Sequence, residues 1–391
     1  MVALQLNQQL AKISPSPIRS FNDQISNIEG ILRLTIGEPD FKTPDFIKQA
    51  AIDAIQRDLN GYTHSRGLIE LRQEIAHYLK RHYQLDYNPE NEIIVTVGAT
   101  EALLAALLAI LNPGDKVIVP SPNYVIYETH VLLAGATLIR HDVSDTNFKL
   151  TPDALRQLVQ TDNQIKVLLL NHPCNPTGVT YTADELEALA AVAHEFDLWV
   201  VSDEIYSELT YHGSHVSMAK FLPERTILIN GTSKSHAMTG WRSCFIAAPA
   251  QYANEIFKVH QASVNTPSTQ AQYASIAAYR DGDDVIVQMR QGYDERRQYL
   301  MRRFADLGYQ TLNPDGAFYL FVKVPDWYQG SEFDFCLDLA KQAKVGVVPG
   351  SAFGPAGQGY FRLSYAADLS RLEEAMKRID AFTQHLTKGV Q

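Results

Sequence analysis

A mostly parallel α/β sheet, covered by helices on both faces and followed by a smaller α+β domain, is the fold class this sequence predicts. Three observations lead there. Between Glu92 and Ala248, short apolar runs alternate with helix-like stretches, the pattern of a parallel sheet with helical crossovers. After about Arg290 that alternation gives way to a charged helix and short strands. At 391 residues, 46% of them hydrophobic and 20% charged, the chain can bury a sizeable core and form about two domains.

Composition also excludes whole classes of partner. The formal net charge is −10 and no Lys/Arg cluster breaks it, so a nucleic-acid surface is not expected. The three cysteines, Cys174, Cys244 and Cys336, form no CxxC pair, and the histidines show no metal-ligand spacing, so neither a disulfide framework nor a metal is expected. The first twenty residues lack the apolar core of a signal peptide. The most continuous apolar run, Ala102–Leu111, is too short to span a bilayer. A soluble, cytoplasmic protein is the expectation.

Taken in order, the chain opens with a polar arm to about Glu29, punctuated by Pro15 and Pro17. Ile31–Ile36 reads as a short strand. Thr43-Pro44-Asp45 reads as a helix start, with a hydroxyl cap and proline at the first helical position. The helix that follows carries Phe46, Ile47, Ala50, Ala54 and Ile55. A turn at Asn60-Gly61 leads to a second amphipathic helix with Leu68, Leu71, Ile75 and Leu79 on one face. Strands are then expected at Glu92–Val97, Lys116–Val119, Thr137–Ile139, Lys166–Leu170, Leu198–Val201, Thr226–Ile229 and Phe245–Ala248. A buried helix over Glu101–Leu111 follows the first of them. Thr182 and Glu185 form a capping box for a helix ending near Phe196. The last part offers helices at Tyr293–Leu307, Phe333–Ala343 and from Asp368, with strands at Ala317–Val322, Val345–Val348 and Phe361–Leu363.

In open α/β sheets ligands bind beyond the carboxyl ends of the strands, and the polar interruptions of this chain fall at those ends. Gly98-Ala99-Thr100 enters a helix whose free N–H groups favour a phosphate. Glu101 would repel that phosphate unless its side chain points away. Asn175 sits in a stretch stiffened by Pro173 and Pro176, and Ser202-Asp203-Glu204-Ile205-Tyr206 offers a buried acid beside a phenol. Leu228–Arg242 places a lone lysine, Lys234, among small and hydroxylated residues, with Arg242 eight positions on. An amine that attacks a carbonyl beside an arginine that holds an anion is chemistry of the Schiff-base kind. Together these parts suit an aldehyde cofactor with a phosphate, a phenolic oxygen and a ring nitrogen, namely pyridoxal phosphate.

The stretches LTIGEPDF, GYTHSRGLIELR, VTVGATEAL, PSPNYVIY, NHPCNPTG, SDEIYSEL, NGTSKSHAMTGWR, GAFY and FRLSY make the chain resemble a class I/II aminotransferase. The likeness runs from about Leu34 to Tyr365 and implies the aspartate-aminotransferase fold, the type I fold of pyridoxal-phosphate-dependent transferases, with a seven-stranded sheet. It implies an arm and part of the small domain over 1–45, a large cofactor-binding domain over 46–290 and a small domain over 291–391. It also implies roles. Lys234 would carry the cofactor and shuttle a proton, Asp203 would pair with the ring nitrogen, and Tyr206 and Asn175 would bond the phenolic oxygen. Tyr124 would stack on the ring. Gly98, Ala99, Thr100, Ser233 and Arg242 would hold the phosphate, joined by Tyr62 from a partner subunit of a homodimer. Arg362, with Asn175 and the Gly37 backbone, would grip the substrate carboxylate.

Some positions depart from the pattern. Gly231 stands where many members have a phosphate-binding serine, so Ser233 or Ser235 would have to compensate. Ser243-Cys244 replaces the usual Ile-Gly. Arg33, Arg66 and Arg72 have no implied role and are expected at the surface. A second cation for a dicarboxylate is not evident, since Lys258–Gln270 holds only Lys258 and His260. Ile18, Phe21, Ile36, Tyr62, Phe318 and Phe353 are instead available as an apolar wall. The pattern resembles the aromatic and N-acetyl-diaminopimelate aminotransferases, implying an aromatic amino donor and a 2-oxo acid acceptor such as 2-oxoglutarate, exchanged in ping-pong order. A C–S lyase on the same fold is an alternative. A regulatory module that senses the cofactor is another, although little chain precedes the first motif to hold a DNA-binding domain.

Overall fold

The computed structural model describes residues 7–388, so the readings of the first six positions lie outside the described residues. A two-residue strand, β1 (Leu32–Arg33), comes first. The central sheet follows: β2 (Ile93–Thr96), β3 (Lys116–Ser121), β4 (Thr137–Asp142), β5 (Ile165–Asn171), β6 (Trp199–Asp203), β7 (Thr226–Gly231) and β8 (Cys244–Ala247). Their spatial order is β2-β8-β7-β6-β5-β3-β4, and only β8 runs antiparallel to its neighbours. This is the seven-stranded, mostly parallel α/β sheet that the sequence predicts.

Both faces are covered because successive residues point to opposite sides. Val167, Leu169, Ile227, Ile229 and Ile246 pack with the helix Gly98–Ile110. Leu168, Leu170 and Val200 pack with Ala183–Glu195. Leu228 and Phe245 meet the helix Ile69–Tyr83. The capping box of Thr182 and Glu185 is present. A second, antiparallel sheet joins β11 (Val348–Pro349), β12 (Tyr360–Ser364) and β9 (Tyr319–Lys323) in that order. It packs with Asp283–Asp306 and Leu369–Lys388. β1 pairs in parallel with β10 (Val345–Gly346), so the start of the chain is stitched to its last part. No helix among the described residues is long and apolar enough to cross a membrane.

The structure corrects several local expectations. The strand near Ile31–Ile36 shrinks to Leu32–Arg33. Thr43 caps nothing: its hydroxyl donates to the Ala237 carbonyl at 2.6 Å and accepts from the Trp241 indole, and Pro44 takes the cap position. The helix Asp45–Gln56 buries Ile47, Ala51 and Ala54, leaving Phe46, Ile52 and Ile55 exposed. The charged helix begins at Asp283, ten residues before the expected start. The helix Thr269–Asp281 escapes a reading based on large apolar side chains, because most of its buried face is small (Ala271, Ala274, Ser275, Ala277 and Ala278), with Thr269, Gln272 and Tyr279 completing it. Arg66 and Arg72 are buried, not at the surface. Arg66 donates to the Asn254 side-chain oxygen at 2.6 Å, while Arg72 donates to backbone carbonyls, including that of Gly67 at 3.2 Å.

Strands β5, β6 and β7 each run one or two residues further than their apolar stretches, so Asn171, Asp203 and Gly231 are the last residues of their own strands. Polar side chains do not interrupt backbone pairing: Asn171 lies in register with Asp203, and Asp203 with Ile229. Three chemically distinct groups are thereby held at one sheet edge by ladder hydrogen bonds.

Candidate active site

Above that edge lies a cavity of about 510 Å³. Of the residues the sequence singles out, Gly37, Ala99, Thr100, Tyr124, Asn175, Asp203, Tyr206, Ser233, Lys234, Arg242 and Arg362 line it. Gly98 and Tyr62 do not. Gly98 has φ +82° and a side chain there would overlap the Arg242 guanidinium, whose Cζ would be 2.7 Å from the added carbon. The glycine therefore acts by letting Arg242 approach the backbone. Tyr62 is 87% exposed on its own chain.

Lys234 stands in a single turn, Thr232–Ser235, that begins directly after β7. Its ammonium donates to the Gly37 carbonyl at 2.7 Å. Burial lowers its pKa from the ordinary 10.5 to about 8. Asp203 accepts from the Tyr127 hydroxyl at 2.8 Å and from the Ile205 amide at 3.3 Å. Burial outweighs those bonds and raises its pKa to about 6. A cationic group beside it would restore the charged form.

Arg362 lies on β12 and is fully enclosed, its guanidinium 4.4 Å from the Tyr319 ring centre and 4.8 Å from that of Phe353. It donates to Asn175 Oδ1 at 2.9 Å and to the Thr35 carbonyl at 2.6 Å. Its Nε is buried without a hydrogen-bond partner, and the residue lines the cavity.

At the end expected to take a phosphate lie the first turn of Gly98–Ile110 and Arg242, which donates to the Thr239 carbonyl at 3.0 Å. Glu101 does point away: it accepts from Val97 N–H at 3.0 Å and bonds His260 Nδ1 at 3.0 Å. The substitutions at Gly231 and Cys244 prove to be one feature. A carbon added at Gly231 would lie 2.7 Å from both Cα and Cβ of Cys244 and would overlap its sulfur. Cys244, by its backbone as well as its thiol, thus occupies the space a serine at 231 would need, with the sulfur 3.6 Å from the Ser233 hydroxyl. Ser233 lines the cavity, whereas Ser235 is tied to His236 Nδ1 at 2.8 Å. Of the two serines, Ser233 is the one placed to compensate. Burial lowers the His236 pKa to about 4, so this neighbour of the site is neutral.

The donor set fits pyridoxal phosphate: helix N–H groups and Arg242 for its phosphate, Asp203 for its ring nitrogen, and Tyr206 and Asn175 for its phenolic oxygen. Sequence reasoning missed Tyr319 and Tyr127. Tyr319 bonds the Tyr206 hydroxyl at 2.7 Å and underlies Arg362. A side chain at Gly37 would overlap its hydroxyl, with its Cζ 2.9 Å away. GAFY, already conspicuous in the chain, ends on Tyr319 and was the available signal. The apolar wall is thinner than expected. Only Ile18 and Ile36 reach the cavity, while Phe21, Phe318 and Phe353 are buried in the core. Lys258 pairs with Glu255 at 2.7 Å and His260 is spent on Glu101 and the Ser65 carbonyl, so neither is a free cation.

Known proteins resemble this chain over nearly its whole length. The model of the aminotransferase class I and II family matches residues 29–379. A probable N-acetyl-LL-diaminopimelate aminotransferase of Bacillus subtilis is 41% identical over 99% of this chain and 98% of its own. Aromatic-amino-acid aminotransferase 2 of Thermococcus litoralis is 39% identical over 96% of this chain and 98% of its own. The crystal structure of Thermus thermophilus aspartate aminotransferase with maleate superposes with a TM-score of 0.91 at 35% identity, covering 97% of this chain and all of that one.

Proposed function

The chain belongs to the class I and II aminotransferases, and from that premise we propose that it binds pyridoxal phosphate and moves the amino group of an aromatic amino acid to a 2-oxo acid in two half-reactions. One observation carries the reading: Lys234 and Arg362 line one cavity together with Ala99 and Thr100 at the start of the helix Gly98–Ile110. The chemistry pyridoxal phosphate supplies when bound is a carbonyl carbon and an electron-withdrawing ring. The protein does the rest. Arg362 orients the α-carboxylate, and Asn175, already bonded to it, keeps the fork in place. Lys234 provides a nucleophilic amine whose neutral fraction grows as pH rises through about 8, and its Nζ takes and returns the α proton. Asp203 would hold a positive charge at the ring nitrogen of the bound cofactor, and Tyr206, braced by Tyr319, would donate to its phenolic oxygen.

Two relatives with different substrates frame the donor question, one named for aromatic amino acids and one for aspartate. Ile18 and Ile36 favour an apolar side chain, each Å² removed from water contributing roughly 25 cal/mol. The expected result is a kcat/KM for phenylalanine or tyrosine above that for aspartate. A ratio below one overturns the aromatic assignment while transamination stands. Conversion of the bound cofactor's spectrum by an amino donor alone separates transamination from C–S lysis.

We also propose a homodimer, with 46–290 as the large domain and the two ends of the chain forming the small one. Phe46, Ile52, Ile55 and Tyr62 form exposed apolar surface near the start of the chain, which a second copy would cover. Mixing Lys234→Ala with Tyr62→Phe protein is expected to regenerate sites containing both native residues. Sedimentation of a fully active monomer overturns the dimer.

A further inference from the structure

Four cations line the cavity: Arg19, Lys234, Arg242 and Arg362. In the function proposed above, three of them have work: Lys234 at the carbonyl, Arg242 at the phosphate and Arg362 at the α-carboxylate. Arg19 has none. It lies on the helix Pro17–Gln24, and among the described residues its guanidinium makes no hydrogen bond or ion pair. Three residues on, one helical turn away, Asn22 lines the same cavity with its side-chain oxygen buried and unpartnered. An exposed, unpaired guanidinium on the wall of a cavity is a donor that a carboxylate can claim, whereas the Asn22 oxygen is an acceptor and takes no part in that contact. The carboxylates lining the cavity do not claim Arg19 either. Asp203 is held by Tyr127, and Glu38 accepts from the Thr239 hydroxyl in the segment that carries Arg242.

We propose that Arg19 reads the distal carboxylate of a dicarboxylic 2-oxo acid, making it the residue that selects 2-oxoglutarate-like acceptors over apolar ones. Arg19 belongs to the same subunit as Lys234 and Arg362, so the selection needs no cation from a partner. An untied guanidinium can form a two-pronged bond with a carboxylate and can turn to solvent when an apolar side chain occupies the cavity. One site then serves both half-reactions.

The inference rests on the aminotransferase reading, and the test separates the two. In the holoenzyme, Arg19→Gln is expected to lower the ratio of kcat/KM for 2-oxoglutarate over 4-methyl-2-oxopentanoate by roughly 10- to 100-fold, the range for losing one charge-assisted bond. Arg19→Lys should recover part of that ratio. Glutarate binding, followed by absorbance titration without turnover, should weaken by a similar factor relative to binding of hydrocinnamate. An unchanged ratio, equal loss for both acceptors, or a wild-type enzyme that prefers the apolar acceptor overturns the role of Arg19 and leaves transamination intact. A wild-type enzyme that transaminates no 2-oxo acid overturns the function itself.

Discussion

Lys234→Ala protein is expected to fold, to retain no borohydride-reducible link to the cofactor, and to lose turnover by roughly 10⁶-fold, the scale seen when a reacting side chain is removed. A reducible adduct on another lysine would overturn the assignment. The same substitution has a stability signature. Burial holds the Lys234 pKa near 8, below its ordinary 10.5, so the folded protein disfavours the ammonium that the unfolded chain accepts readily. That penalty is fully present below about pH 8 and is relieved as pH rises towards 10.5. Unfolding of cofactor-free wild type and variant at pH 7 and pH 10 should therefore show the wild type gaining relative to the variant at the higher pH, by up to about 3 kcal/mol. The loss of the 2.7 Å bond to the Gly37 carbonyl acts on the variant at both values and cancels in the difference.

Glu204→Ala is expected to destabilise the fold by about 3–5 kcal/mol, the scale of removing one partner from a buried, hydrogen-bonded charged cluster. Glu204 lies directly after Asp203 but faces the other way, into a fully buried cluster. It bonds His215 Nε2 at 2.7 Å, Ser202 Oγ at 2.7 Å and Ser217 Oγ at 2.9 Å, with His172 Nε2 3.5 Å away. Burial raises its pKa, but His215 and His172 outweigh burial and hold it well below the carboxylate range. A depressed folded value means the stabilisation is complete above the ordinary value of 4.5 and fades as the pH falls below it. Acid unfolding of the wild type should show that slope, and the variant should lack it. An equal slope in both would show that the carboxylate is not held ionised by its neighbours. Glu204, His172 and His215 have the makings of a metal site, their ligand atoms all lying within 4.8 Å of one another. The 2.7 Å separation of Glu204 and His215 is nevertheless a hydrogen bond, since donors at ~2.0 Å around a tetrahedral zinc stand roughly 3.3 Å apart.

This cluster marks one limit of what the chain alone discloses. His172 and His215 are 43 positions apart, so no local spacing joins them. Their meeting depends on β5 and β6 lying side by side, with the loop after β6 folding back beneath Asp203. Pairing between strands is not written in hydrophobic periodicity. The same holds for Tyr319, whose contact with Tyr206 links residues 113 positions apart, and for Arg362, which bonds Asn175 across 187 positions.

The sequence by itself determined the alternation of buried strands and helices, and with it the sheet class. It also placed Asn175, Asp203 and Lys234 at or just beyond strand ends, because an apolar run that stops at a polar residue locates both the strand and its mouth. Backbone chemistry is local, and these decisions needed only near neighbours. Tertiary structure alone decided which residues face the cavity. Phe21 and Phe318 are as apolar as Ile18 and Ile36, yet the first two fill the core and the latter two line the site. It also decided the partner of each polar group: Lys258 is paired with Glu255, His260 is hydrogen-bonded to Glu101, and Arg19 meets no partner on its own chain among the described residues. Composition supplies charges, but a charge's reach and pKa depend on the dielectric and the partners that folding brings within a few ångströms.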